Sequence, residues 1–298
     1  MRFLVTGVGG QLGADVMAEL AARGFDAVGT DLAPANEAYR DYRPLDITDE
    51  AAVARTIREA APDVVVHCAA WTAVDAAEDP ANRSKVTAVN ADGTRAIAKA
   101  CAAKGCKLIY LSTDYVFDGR GSAPWQPDST DYAPLNVYGR TKLAGEAAVR
   151  ALVKRHFIVR IAWVFGLNGH NFIKTMLAVG RTHDSVRVVN DQIGTPTYTA
   201  DLARLLVDMA ETEKYGTYHA TNEGGYISWC DFAKEIYRQA GYATEVIPVT
   251  TAEYGASAAA RPFNSRLDKS KLAANGFAPL PDWRDALSRY LQALNVKS

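Results

Sequence analysis

Cysteine is scarce: four in 298 residues, at positions 68, 101, 106 and 230. Cys101 and Cys106 have no second pair to complete a zinc site, and so few thiols read as free cytosolic cysteines rather than a disulfide framework. The five histidines (67, 156, 170, 183 and 219) show no His-x-x-x-His or similar ligand spacing, which argues against a metalloenzyme. An excess of one charge is also missing. With 33 Lys and Arg against 34 Asp and Glu, no basic surface points to nucleic acid and no charge block to a disordered tail. The longest apolar runs are strand-sized, too short to span a membrane. The chain turns glycine-rich directly after Phe3-Leu4-Val5-Thr6, which argues against a signal peptide and predicts a cytoplasmic protein.

What is present is a core-forming composition, 48% hydrophobic, laid out as alternating strands and helices. Strands are predicted at Phe3 to Thr6, Ala27 to Thr30, Val64 to Cys68, Lys107 to Leu111 and Phe157 to Ala162. Helices are predicted at Gln11 to Arg23, Asp49 to Ala60, about Pro80 to Lys104, and from Tyr138 to about Leu152. This alternation predicts an α/β fold, a Rossmann-type doubly wound parallel sheet, with a smaller α/β substrate-binding domain. The dinucleotide-binding part is expected over residues 1–165 with a returning segment at about 186–220, and the substrate part over 166–185 and 221–298. In the second half, helices are predicted at 171–179, 199–211, 228–239 and 283–294, and strands at 186–189 and 217–219. Gly121 to Leu135 holds Pro124, Pro127 and Pro134 and is expected to form a long surface loop beside the site.

Gly7, Gly10 and Gly13 lie directly between the first strand and the first helix. Glycine there permits a tight turn and close approach of backbone to a pyrophosphate, and the helix N-terminus offers free N–H groups. Asp31 ends the second strand, where a carboxylate accepts hydrogen bonds from ribose hydroxyls and repels a 2′-phosphate. The cofactor is therefore NADH or NADPH, with Asp31 favouring NADH. Tyr138 and Lys142 stand four residues apart, on one helical face. A phenol normally titrates near pH 10, and a neighbouring ammonium is expected to bring it towards catalytic range.

The glycine spacing and Tyr138-x-x-x-Lys142 together resemble the extended short-chain dehydrogenase/reductase family. So do Cys68 to Glu78, Ser112 to Gly119, Pro134 to Glu146, Arg160 to Phe165, Asn171 to Leu177, Asp191 to Thr197 and Arg261 to Asp268. These segments span almost the whole chain, so the resemblance reaches beyond a shared fold. It implies NAD(P)H-dependent reduction of the C4 ketone of a dTDP-linked 4-keto-6-deoxy sugar, giving dTDP-L-rhamnose. It implies Tyr138 as general acid, Lys142 as its electrostatic partner and a ribose ligand, and Thr113 as the hydroxyl holding the carbonyl, with Ser112 competing for that role. Gln11, Leu12, Asp46, Ile47, Ala69, Ala70 and Trp71 join the three glycines and Asp31 at cofactor-lining positions. Asp114 and Trp163 fall at sugar-binding positions, and Tyr115, Asn171, Gln192 and Arg261 at positions for sugar, nucleotide or diphosphate contacts. By position alone, Trp163 fits core packing as well as sugar stacking.

Two departures stand out. His67-Cys68 occupies a place where relatives usually show Asn-Ala. Some relatives dimerise around magnesium through acidic residues; Asp15 lies near one such position, but no full set maps, so no metal is expected. The expected partner is a nucleotide sugar, and the chain is a monomer or homodimer. Reduction of another 4-keto sugar, epimerisation of a nucleotide sugar, and a non-catalytic regulatory role stay open at this point.

Overall fold

The computed structural model describes residues 1–34, 36–255 and 257–296. Seven strands form one parallel sheet: β1 (Arg2–Thr6), β2 (Asp26–Asp31), β3 (Tyr42–Pro44), β4 (Val64–His67), β5 (Lys107–Thr113), β6 (His156–Ile161) and β7 (Gly216–His219). Their order is β7-β6-β5-β4-β1-β2-β3, with Thr6 beside His67, His67 beside Tyr110, and Thr113 beside Ile161. The continuous apolar runs are explained by burial on both faces: every residue of β4 and β5 is buried. Chain order reverses between β1 and β4, and in such sheets the crevice outside the strand C-termini at that point is where ligands bind.

One face of the sheet is covered by α1 (Gln11–Ala22) and a later helix, Thr199–Ala210; both enter a core with Val5, Val66 and Ile109. The other face is covered by α2 (Glu50–Ala60), by a long broken helix α3 (83–104), and by α4 (Val137–Leu152). The single helix expected from about residue 80 is α-helical only at Arg83–Thr87 and Thr94–Lys104, with a π segment, Ala88–Gly93, between. Asn90 explains the break. Its side chain accepts from the Trp71 N–H (2.8 Å) and donates to the Trp71 carbonyl (3.1 Å), while Thr94 donates its hydroxyl to the Asn90 carbonyl (2.8 Å). A threonine hydroxyl thus takes one carbonyl of the helical ladder where the helix passes the site.

The returning segment starts later than expected. Ser185–Val189 does not join the main sheet; it pairs in parallel with Glu245–Val249, and Val188 and Val246 bury into a separate core with Phe232, Ile236 and Trp283. Only from Thr199 does the chain rejoin the Rossmann sheet, through Thr199–Ala210 and then β7. The two-residue strands of the second lobe, such as Val164–Phe165 beside Thr197–Tyr198, are too short to leave a periodic signal, as is the three-residue β3. No helix among the described residues is long and apolar enough to cross a membrane.

A buried ion pair joins α4 to β6. Arg160 and Glu146 are both fully buried, and the guanidinium donates to the two carboxylate oxygens, each at 2.8 Å. Arg160 also donates to Tyr132 Oη (2.9 Å) and to the Pro127 carbonyl (3.2 Å), fastening the proline-rich loop over the sheet edge. Burial alone raises the Glu146 carboxyl, but Arg160 prevails and holds it below its ordinary value. Replacing Glu146 by leucine leaves a buried, unpaired guanidinium, and the expected loss in urea unfolding is about 3–5 kcal/mol; a loss below about 1 kcal/mol, the scale of an exposed pair, would contradict this role.

Candidate active site

A cleft of about 750 Å³ opens at the C-terminal ends of β1, β4 and β5. Its floor is the glycine turn. Gly7 has φ +74°, and a Cβ on it would stand 2.6 Å from the Ala69 nitrogen; a Cβ on Gly13 would stand 2.2 Å from the Gly7 carbonyl oxygen. Only glycine fits either place. Gly10 begins α1 with no side-chain cap, so the first-turn N–H groups of a helix facing the cleft are left for an anion. The turn therefore fits a dinucleotide pyrophosphate. Asp31 lines the same cleft, and its carboxylate accepts from the N–H groups of Gly9 (2.8 Å) and Leu32 (2.7 Å), which ties the end of β2 to the turn. Gln11, Leu12, Asp46, Ile47, Ala69 and Ala70 also line it. Trp71 does not: its indole donates back to the Ala73 carbonyl (3.1 Å) and packs with Val137 and Tyr138.

The opposite wall is α4. Asn136 caps it, accepting from the Gly139 N–H at 2.8 Å, and puts Tyr138, Lys142 and Glu146 on successive turns of one face. The Lys142 ammonium lies 4.2 Å from the centre of the Tyr110 ring, and Tyr110 donates its hydroxyl to the Lys142 carbonyl. Burial pushes the Lys142 amine down to about 7, against the opposing charges of Glu146 and Cys68. Tyr138 differs from expectation. Burial of its hydroxyl, then the charge of Asp114, drive the phenol well above its ordinary value; a hydrogen bond with Thr113 opposes them, and Lys142 is not among the causes. Desolvation and the Asp114 charge outweigh that hydrogen bond, so the protein by itself keeps Tyr138 protonated.

Thr113 ends β5, donating its hydroxyl to Asp114 Oδ1 (3.0 Å) and accepting the Tyr115 N–H (3.2 Å). Burial raises the Asp114 carboxyl to about 6, opposed by Ser265 and Thr113, and its Oδ2 makes no hydrogen bond of good geometry among the described residues. Tyr115 meets Tyr138 edge-on, ring centres 5.7 Å apart. Trp163 stands across the cleft with φ +50°, a backbone state that costs energy for a bulky residue. Its indole stacks on Trp229 at 3.8 Å and 16°.

Three expected contacts do not line this cleft. Asn171 caps the helix Phe172–Gly180 and donates to Gln11 Oε1 (3.1 Å), bracing the turn from behind. Gln192 donates to the Thr251 hydroxyl (3.0 Å), and Arg261 pairs with Asp75. Trp229, His170, Thr72, Val74, Val89 and Val164 line it without having been expected. No motif marks Trp229, which arrives from the second lobe only through folding. Asp15 accepts a hydrogen bond from the Thr199 hydroxyl.

His67, the departure noted in the sequence, lies beneath the site. Thr6 Oγ1 accepts the Ala69 N–H (3.2 Å), which leaves its proton for His67 Nδ1 (2.7 Å). Thr94 gives its own proton to the Asn90 carbonyl, so its oxygen accepts from His67 Nε2 (3.1 Å). These directions assign a neutral imidazole protonated at Nε2. Burial, then the charge of Lys142, lower His67 from 6.5 to about 3. Between those values the unfolded chain binds a proton that the folded chain refuses, so stability is lost as pH falls through that window. On acidification from neutrality to about pH 5, wild type should lose more unfolding free energy than His67→Gln, in urea titrations at each pH; parallel losses would mean that His67 is not held neutral.

Comparison with known proteins agrees with this geometry. A family profile described as the RmlD substrate binding domain matches residues 1–296. The chain is 44% identical over 300 residues to dTDP-4-dehydrorhamnose reductase of Streptomyces griseus, covering 98% of this chain and 94% of that one. The crystal structure of a dTDP-4-dehydrorhamnose reductase from Clostridium acetobutylicum superposes with a TM-score of 0.91 at 39% identity, covering 99% of this chain and 100% of that one. The Bacillus anthracis dTDP-4-dehydrorhamnose reductase, solved in complex with NADP, gives a TM-score of 0.90 at 40% identity, covering 98% and 99%. With its glycine turn, its Tyr138–Lys142 face and near-complete matches of this kind, the chain belongs to the RmlD family, the dTDP-4-dehydrorhamnose reductases of the extended short-chain dehydrogenase/reductases.

Proposed function

We propose that this chain reduces the C4 ketone of dTDP-4-dehydro-6-deoxy-L-mannose to the alcohol of dTDP-L-rhamnose, as a cytoplasmic NAD(P)H-dependent enzyme. The convergence of a protonated Tyr138, an oriented Thr113 hydroxyl and the unpartnered Asp114 Oδ2 at the end of β5 supports this reading most directly. Bound in the cleft, the reduced nicotinamide supplies the hydride. Tyr138 donates its proton to the ketone oxygen as negative charge develops there. A phenol raised by burial suits that task, because an acid for the reductive direction must begin protonated. With the sugar bound, Thr113 turns its hydroxyl proton from Asp114 Oδ1 to the same oxygen and contributes orientation. Lys142 binds a cofactor ribose hydroxyl and, when charged, stabilises the phenolate left behind. Asp114 Oδ2 accepts from a sugar hydroxyl, and Trp163, backed by Trp229, gives the sugar ring an apolar plate.

Wild type should consume one NADH per dTDP-4-keto sugar reduced, whereas an epimerase shows no net consumption. Tyr138→Phe should lose about 10²- to 10⁴-fold in kcat while its affinity for NADH, followed by cofactor fluorescence, stays unchanged. Near-wild-type turnover would overturn the assignment of the acid.

For the cofactor, the Asp31 carboxylate supports a preference for NADH, since its charge faces the end of β2 where a 2′-phosphate would lie. The B. anthracis relative, solved with NADP, shows that the family accommodates the phosphate. The ratio of kcat/KM for NADH over NADPH should exceed one in wild type and fall about tenfold or more in Asp31→Ser; a ratio below one in wild type would reverse the preference.

A further inference from the structure

Asp75-Ala76-Ala77-Glu78 takes no part in the steps above, yet it touches both sides of the site. Ala76–Glu78 form a single 3₁₀ turn, with the Ala77 N–H donating to the Ala73 carbonyl (3.0 Å) and the Glu78 N–H to the Asp75 carbonyl (3.1 Å). Ala77 is fully buried, packed in one cluster with Val86, Val137, Trp71 and Tyr138. The turn is thereby anchored by its middle residue. Its two carboxylates leave in different directions.

Glu78 Oε1 accepts the N–H of Val137, the first residue of α4, at 2.6 Å. That N–H has no partner within its own helix, and Tyr138 is the next residue. On the other side, Asp75 gathers a segment of the second lobe. Its Oδ1 accepts from the Ser257 hydroxyl (2.7 Å) and the Ala259 N–H (3.1 Å), and its Oδ2 from the Arg261 guanidinium (2.5 Å). The α4 cap reinforces the arrangement, because Asn136 donates its amide to the Ala260 carbonyl at 2.9 Å. Arg261 interacts in turn with the Tyr115 hydroxyl, and Tyr115 packs edge-on against Tyr138.

The size of these contacts limits what they do. The Asp75 side chain is half exposed, and an ion pair in such a place adds little to global stability. Misplacing a reacting group by about 1 Å, by contrast, costs up to about 10²-fold in rate. The value of the turn is therefore geometric.

We propose that Asp75 and Glu78 are positioning residues for the reduction: one anchored turn sets the segment 257–261 and the N-terminus of the catalytic helix at a fixed spacing. Asp75 acts on capture of the nucleotide sugar through Tyr115, which lines the cleft and is held by the Arg261 that Asp75 fixes. Glu78 acts on the placement of Tyr138. This rests on the function proposed above, but its structural content is testable without turnover.

The test uses full-length Asp75→Ala and Glu78→Ala. Asp75→Ala should raise KM for the dTDP-4-keto sugar about tenfold at unchanged kcat, and Glu78→Ala should lower kcat about tenfold at unchanged KM. NADH affinity and thermal midpoint should stay at wild-type values in both, and Glu78→Gln, which keeps an acceptor, should restore kcat. Amide exchange should quicken at Ala259 in the first variant and at Val137 in the second. Unchanged kinetics, or losses that follow the thermal midpoint and NADH affinity together, would overturn the positioning role. If wild type consumes no NADH, the function falls instead; unchanged exchange at both amides would then overturn the clasp on its own.

Discussion

The geometry of the site depends on the buried Glu146–Arg160 pair. Tyr138, Lys142 and Glu146 share a face of α4, and Glu146 fastens that face to β6 by two charge-assisted hydrogen bonds. Such pairs add little net stability compared with an apolar core, but their bidentate form fixes register and rotation. Rotation matters here: a helix turned by one residue moves its functional face by about 100°. The same guanidinium holds Tyr132 and the Pro127 carbonyl, so the loop that follows the Thr113-Asp114 strand end is set by the ion pair that sets the helix.

Around this joint the protein keeps its polar groups in chosen protonation states by burial. Tyr138 is held protonated, Asp114 is pushed up to about 6, Lys142 is brought down to about 7, and His67 is kept neutral. Each shift disfavours a charge in a dry place. The neutral imidazole has a particular use. It links Thr6, at the phosphate-binding turn, to Thr94, the residue that follows the π segment, without placing a second cation next to Lys142. The neutral imidazole offers one acceptor and one donor, and the two threonine hydroxyls use both.

Much of the site was legible because its chemistry is local in sequence. Gly7, Gly10 and Gly13 lie within one turn, Tyr138 and Lys142 within one helical period, and Thr113 with Asp114 at one strand end; all of these line the cleft. The expected residues that do not line the cleft are those with distant contacts. Trp71 turns its indole onto Ala73, Gln192 is taken by Thr251, and Asn171 serves as a helix cap. Arg261 is held by Asp75, 186 positions away in sequence. Trp229 escaped notice because nothing near it in the chain marks it, although it backs Trp163 across the lobes.

The sequence by itself determined the doubly wound sheet, the phosphate-binding turn and the acid–lysine face, since each follows from spacings of a few residues and from strands buried on both faces. Only tertiary structure decided the electrostatics and the partition of the second half. The lysine was expected to lower the phenol, yet the depth of burial, invisible in a spacing, raises it. Ser185–Val189 likewise has the pattern of a strand, but which strand it meets depends on where Glu245–Val249 returns. Pairing partners and desolvation are properties of the folded whole; periodicity records only which faces of an element are apolar.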